Sequence, residues 1–316
     1  MIIVPTRVCN TDNCNYCWVY KKDFHEKYFN SFDIEDFYEK IKILALKSND
    51  YELRFFWWEP MIRFDIIKKI VNYIKEKDSK FKFTINTNLT LLDEEKIDFV
   101  NENNIKLIIS CNWKLKNHSE TRWISIKETI ELYKNIKKIT SNNIKNQINI
   151  VVNNENSKDL VENLEFIEKY LWWKNINLLP VNYNWWNEKW LKEFEISLNN
   201  LENKIKNKET NIIFINKEIN NKVPLFNNEF VIDSDWKVYP NMVILESFFN
   251  YEKEKILITN ISKNIEIFKS DVNFFDNENN ILFNNFINNF LKKTFTNIIE
   301  NDFKSSEIFH NFLMKI

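Results

Sequence analysis

The chain has 316 residues, 44% hydrophobic and 28% charged, with a formal net charge of -1, which is enough apolar length for one large core or two modest ones. No apolar run approaches the roughly 20 residues of a membrane span, and Met1 to Val8 is too short and wrongly flanked for a secretory signal. With no basic block to attract nucleic acid or an anionic membrane, the expectation is a cytoplasmic globular protein with neither as partner.

In chain order, short β-rich runs alternate with amphipathic segments. Ile2 to Pro5 reads as a buried strand, followed by a helix over about Asp33 to Lys47. Strand Glu52 to Phe56 precedes helix Arg63 to Lys77, strand Lys82 to Asn86 precedes helix Leu92 to Asn101, and strand Ile105 to Ser110 precedes helix Ile126 to Ile139. Strand Ile148 to Asn153 with helix Lys158 to Leu171, and strand Ile176 to Val181 with helix Glu188 to Lys204, complete six βα units. Such a series predicts an α/β fold with a parallel sheet; a partial (βα)6 TIM-like barrel and an open doubly wound sheet both fit the order. After about Thr210 short strands take over, with a hairpin-like Phe230 to Pro240 and Asn-rich helical stretches from about Asn280 to Ile316. The expected division is therefore a first domain over 1–209 and a smaller α+β domain over 210–316.

Two features of composition stand out. Average usage predicts roughly twenty glycines, and there are none, while tryptophan occurs eleven times. Glycine is the usual residue wherever φ is positive or backbone approaches a ligand, so a chain without it should make turns poorly. The second feature is Cys9-Asn-Thr-Asp-Asn-Cys14-Asn-Tyr-Cys17, three of the four cysteines within nine residues, in a loop leaving the first strand. In a reducing compartment this spacing points to metal or redox chemistry rather than crosslinking. Three cysteine ligands suit a [4Fe-4S] cluster with one open iron, and Cys9, Cys14, Cys17 and His25 equally suit zinc in a non-catalytic α/β binding protein.

The second strand runs Glu52-Leu-Arg-Phe-Phe-Trp57-Trp58-Glu59-Pro60-Met-Ile; with glycine at both tryptophans it reads Phe-Gly-Gly-Glu-Pro-Met-Ile. Together with the cysteine loop, this resembles the radical SAM superfamily. Further along, Thr87-Asn88-Leu89-Thr90-Leu91-Leu92 resembles that family's Thr-Asn-Gly-Thr-Leu-Leu, and Ile109-Ser110-Cys111-Asn112-Trp113 its Ser-x-Asp-Gly. His118-Ser-Glu-Thr-Arg122-Trp123 resembles His-Asp-x-x-Arg-Gly. Asp233-Ser-Asp235-Trp236-Lys237-Val238-Tyr239-Pro240 resembles the Asp-Gly-x-Val-Tyr-Pro turn of SPASM-type C-terminal domains in peptide-modifying members.

At Trp18, Trp57, Trp58, Trp113, Trp123 and Trp236 a tryptophan stands where the family has glycine. One reading is that the gene uses UGA, decoded as glycine in its own cell and written here as tryptophan. The literal reading makes the tryptophan pairs stacking platforms, which without a basic groove has weak support. The chain departs from the family elsewhere too. The cysteine spacing is four then two residues rather than three then two, Leu89 and Asn112 replace a usual glycine and aspartate, and Asn241 stands where a cysteine is common.

The resemblance implies a [4Fe-4S] cluster on Cys9, Cys14 and Cys17 whose fourth iron chelates S-adenosylmethionine, with Trp57, Trp58 and Glu59 beside the amine. Asn88, Ser110 and Arg122 would contact ribose and carboxylate, and Tyr16 would pack near the adenine. A 5′-deoxyadenosyl radical would then abstract hydrogen from a peptide or protein substrate, the electron coming from a donor such as a flavodoxin or ferredoxin. The 210–316 domain would be SPASM-like without auxiliary-cluster cysteines. His118 and His310 read as ordinary surface or helix histidines, and Cys111 as a small buried residue at a strand end.

Overall fold

The computed structural model describes residues 1–11, 14, 32–110, 130–132, 134–135, 138, 146–154, 156–171, 173–181, 186–218, 229–240, 256–274 and 296–316. The chain divides into two compact units. One comprises Met1–Asp12, Cys17–Leu107 and Leu225–Phe286, the other Asn13–Tyr16, Ile108–Pro224 and Ile287–Ile316.

In the first unit, β1 (Ile2–Ile3) is fully buried and pairs in parallel with β2 (Glu52–Phe55), Ile2 opposite Arg54 and Ile3 opposite Phe55. Strand β2 pairs in parallel with β3 (Lys82–Thr87). On its other side β1 pairs in parallel with β8 (Val231–Ile232), which forms an antiparallel hairpin with β9 (Lys237–Tyr239), and β10 (Thr259–Asn260) closes the edge. The strand order is β10-β9-β8-β1-β2-β3.

Helix α1 (Ile34–Ser48) starts where the Asp33 side chain accepts the backbone N–H groups of Glu35 and Asp36, satisfying donors the first turn leaves open. Its buried residues Phe37, Ile41, Leu44 and Ala45 recur at helical spacing, and burying a side chain such as Ile41 or Leu44 contributes about 1.5–3 kcal/mol. Helix α2 (Phe64–Lys77) buries Ile67, Ile70, Val71 and Ile74 in the same way, and α3 (Glu94–Glu102) is capped by Asp93. The buried Lys40 ammonium donates to Asp36 and to the Ile261 carbonyl, fastening α1 to the segment after β10.

In the second unit, the end of β4 (Lys106–Ser110) pairs in parallel with β5 (Gln147–Val152), β5 with β6 (Asn175–Pro180), and β6 with β7 (Ile213–Phe214). The helix Leu160–Phe166 runs on into a π-helical turn, Ile167–Leu171. The helix Glu188–Lys206 begins at an Asn187 cap and buries Leu191, Phe194, Leu198 and Leu201. Trp186 is buried against Phe194, its indole N–H donating to the Val181 carbonyl at 2.9 Å.

The βα order and the parallel sheets are those expected of an α/β fold, with boundaries moved by a residue or two. The Phe230 to Pro240 hairpin is present as β8 and β9. The expected helix Ile126 to Ile139 lies largely outside the described residues, as does the Asn-rich stretch up to the helix Thr296–Leu313. No helix among the described residues is long and apolar enough to cross a membrane.

Candidate active site

Three strand ends of the first unit carry the site. Leaving β1, the backbone reaches Cys9, whose sulfur is part-buried and 3.2 Å from the Thr11 hydroxyl. Cys14, in the second unit, is also part-buried. Cys17 lies outside the described residues, as do Tyr16, Trp18, His25, Cys111, Asn112, Trp113, His118, Arg122, Trp123 and Asn241. Among the described residues no three His, Cys, Asp or Glu side chains gather as a metal site.

At the end of β2 the backbone turns through two consecutive left-handed residues, Trp57 at φ 77° and Trp58 at φ 49°. A β-carbon in that region clashes with the following carbonyl and costs roughly 1–2 kcal/mol, so glycine is the residue this turn favours. The two indoles lie against each other, ring centroids 5.7 Å apart. Immediately after them, the Glu59 N–H donates to the Val8 carbonyl at 3.2 Å, joining this turn to the cysteine loop.

The Glu59 side chain is fully buried, so its carboxylate needs compensating donors. It has them: Oε1 accepts from the Met61 N–H at 3.1 Å and the Thr87 hydroxyl at 2.8 Å, and Oε2 from the Asn88 N–H at 2.8 Å. Glu59 therefore fixes the exit of β3 as well as capping the 3₁₀ turn Pro60–Arg63.

At the end of β3, Leu89 is again left-handed, at φ 63°. The Asn88 carboxamide is buried; its oxygen accepts from the Thr90 N–H at 2.9 Å and the Thr90 hydroxyl at 2.6 Å. Its Nδ2 donates to Asn10 Oδ1 at 3.0 Å and lies 4.0 Å from Cys9 Sγ. Asn10 donates in turn to the Thr90 hydroxyl at 2.7 Å. These bonds bring Cys9, Glu59 and Asn88 together. Ser110 ends β4 part-buried, in register with Asn149 of β5.

Sequence reasoning passed over Arg7 and gave Asp233 only as part of the turn motif, without a partner. The Arg7 guanidinium, buried just before Cys9, forms a two-point ion pair with the fully buried Asp233, its Nε donating to Oδ1 at 2.8 Å. Asp233 Oδ1 also accepts the Ser234 N–H at 2.7 Å. Burial lowers the Arg7 pKa, and the nearby Asp235 and Tyr239 oppose that shift; the group remains a cation. Asp233 opens the β8–β9 turn, and Trp236 in that turn is left-handed at φ 70°. A lone arginine in the apolar run Met1 to Val8 was the available signal, because such a charge must find a partner.

The donor set at Cys9, a part-buried thiol beside hydroxyl and amide groups, suits a thiolate ligand of an iron–sulfur cluster. At 57 and 58 the fit depends on the side chain: glycine leaves the backbone open to a ligand, and an indole covers it.

Residues 3–167 match the model of the radical SAM superfamily. An uncharacterised protein of Methanocaldococcus jannaschii is 28% identical over 170 residues, 53% of this chain and 57% of that protein. The radical SAM cyclopropyl synthase TigE of Paramaledivibacter caminithermalis is 26% identical over 145 residues, 41% of this chain and 30% of TigE. The chain thus matches little more than half of the one curated relative and under a third of the other. Among solved structures, anSMEcpe with bound AdoMet and Cp18Cys peptide superposes with a TM-score of 0.64 at 17% identity, covering 88% of this chain and 80% of that one. Streptococcus suis SuiB bound to S-adenosylmethionine superposes with a TM-score of 0.61 at 17% identity, covering 84% of this chain and 63% of SuiB. At that identity the likeness carries the fold alone, an α/β fold with the strand and helix order of a partial TIM-like barrel. With its model matched over half of the sequence and the corresponding motifs gathered at adjacent strand ends, the chain belongs to the radical SAM superfamily.

Proposed function

We propose that this protein is a radical SAM enzyme acting on a peptide or protein, and that positions 57, 58 and 236 are glycine in the protein its own cell makes. The observation that carries this reading is the left-handed backbone at Trp57, Trp58 and Trp236, three positions where the family's motifs have glycine. Trp18, Trp113 and Trp123 belong to the same proposal on motif grounds.

Cys9, Cys14 and Cys17 would hold a [4Fe-4S] cluster, with the backbone at 57 and 58 open toward S-adenosylmethionine. When bound, cluster and S-adenosylmethionine supply hydrogen abstraction through reductive cleavage of the sulfonium, given an electron donor such as a flavodoxin or ferredoxin. The chain's own residues position the site. Asn88 and Asn10 brace the Cys9 loop, and Glu59 holds the β2 and β3 exits in register; Asn88, Ser110 and Arg122 are the proposed ribose and carboxylate contacts. The segment 210–316 is read as SPASM-like without auxiliary-cluster cysteines, with its Asp233 turn buttressing the cysteine loop through Arg7. Support for a peptide substrate comes from that turn and from the peptide-bound anSMEcpe among the structures of like fold.

The test is the mass of the native peptide spanning 57 and 58, taken from source cells. Two glycines are expected, and two tryptophans would overturn the decoding. Anaerobic reconstitution of the glycine form should then give a brown, iron-loaded protein that releases 5′-deoxyadenosine from S-adenosylmethionine. A colourless, zinc-bound protein would overturn the enzymatic reading.

A further inference from the structure

The second unit carries a row of uncharged polar side chains that the motifs do not include. Parallel strands are ordinarily covered on both faces and read as continuous apolar runs. Strands β5 and β6 depart from this: Ile148, Ile150, Ile176 and Leu178 are fully buried on one face, while Asn149 and Asn177 point to the other and are part-exposed. The parallel register sets Ser110, Asn149 and Asn177 side by side across β4, β5 and β6.

The hydrogen bonds within the row are one-sided. Asn149 Oδ1 accepts both from Asn177 Nδ2 at 2.9 Å and from Gln147 Nε2 at 3.2 Å. That leaves Asn177 Oδ1, an enclosed acceptor with no hydrogen-bond partner among the described residues. An enclosed amide oxygen without a partner is destabilising, and native proteins keep few of them. Asn177 therefore offers an acceptor and the Asn149 carboxamide its N–H donors, with no charged side chain at either position. Such a set complements a neutral group having both an N–H and a C=O, which is the chemistry of an amide.

From this geometry we infer that Asn149 and Asn177 form a binding row for a neutral amide group of the substrate, either a peptide bond or a side-chain carboxamide. The inference rests on the peptide-substrate reading above and names the group recognised. Asn149 and Asn177 would contact substrate; Gln147, itself buried, would orient Asn149.

A test that needs no cofactor is the stability of the full-length variant Asn177→Val, which removes the unpartnered oxygen and leaves Asn149 bonded to Gln147. If the row is kept for binding, removing an unpaired enclosed oxygen from a parallel sheet should raise Tm by about 2–4 °C. A fall in Tm would show the amides to be cross-strand supports and overturn the inference. The second measurement is saturation-transfer NMR with N-acetylalanine N-methylamide as probe and acetate as the charged control. Transfer to the amide, absent for acetate and lost in the variant, is expected. Equal transfer to both probes, or transfer unchanged in the variant, would overturn it. Cleavage of S-adenosylmethionine by the parent protein is scored separately. Amide binding without cleavage would sink the radical reading and leave this inference standing, and cleavage without amide binding would do the reverse.

Discussion

Among the described residues left-handed backbone occurs in two kinds of place, and the residues found there differ. Where helices end, the left-handed positions are Asn49 after α1, Asn104 after α3 and Lys208 after the helix Glu188–Lys206, with φ between 50° and 59°. Asparagine enters this region with little strain, and at Asn49 it completes an ordinary helix stop, its N–H donating to the Ala45 carbonyl. Where strands end at the site, the left-handed positions are Trp57, Trp58, Leu89 and Trp236. Large side chains there bear the full steric cost. The contrast teaches that abundant asparagine can replace glycine where a helix merely stops. In the turns after strands the left-handed positions carry tryptophan and leucine instead, where glycine would bear no such cost.

The largest expected effect comes from the charge pair bracing the site side of this comparison. Arg7→Ala leaves Asp233 buried without its cation and should cost about 3–5 kcal/mol in urea unfolding, whereas Arg7→Met/Asp233→Leu should be close to neutral. Next, in the chain as written, Trp57→Gly/Trp58→Gly should stabilise by a net of about 2 kcal/mol, part of the relieved strain being offset by lost indole contact. Asn49→Gly should change stability by under about 0.5 kcal/mol. If the two kinds of site respond alike, the comparison fails. A single-site version is Trp236→Gly, expected to gain roughly 1 kcal/mol by thermal unfolding, against no more than a few tenths for Asn104→Gly.

The smallest effect concerns Glu168, which accepts from the Thr210 hydroxyl at 2.6 Å and the Asn211 N–H at 2.7 Å, beside the end of the helix that Lys208 terminates. Burial alone would raise its pKa, but these hydrogen bonds outweigh it and the net shift is downward. Its stabilisation is therefore complete above the carboxylate's unfolded pKa and lost as pH falls through the lowered folded value. Glu168→Gln should lower Tm slightly at neutral pH and not at strongly acidic pH, as read by calorimetry across that range.

Much of the fold is legible in the sequence because its signals are local. Asp33 and Asp93 announce the starts of α1 and α3, and the spacing of Phe37, Ile41 and Leu44 marks a buried helical face. At the site, the motif residues Cys9, Glu59 and Asn88 are legible for the same reason, each following a strand whose end the residue pattern marks. What Glu59 and Asn88 do there was not legible. The resemblance implies a place beside a cofactor for both, and the structure gives each a set of protein partners.

By itself, then, the sequence determined the α/β order, the strand and helix positions and the family's motifs, since periodicity, caps and turn residues are set by near neighbours. Tertiary structure alone decided that β8 lies beside β1, that Arg7 meets Asp233 from 226 residues away, and that Asn149 and Asn177 stand in one row. Those pairings join residues far apart in the chain, and nothing near either partner specifies the other. They are settled when the folded chain must find a partner for each buried charge and a register for each strand.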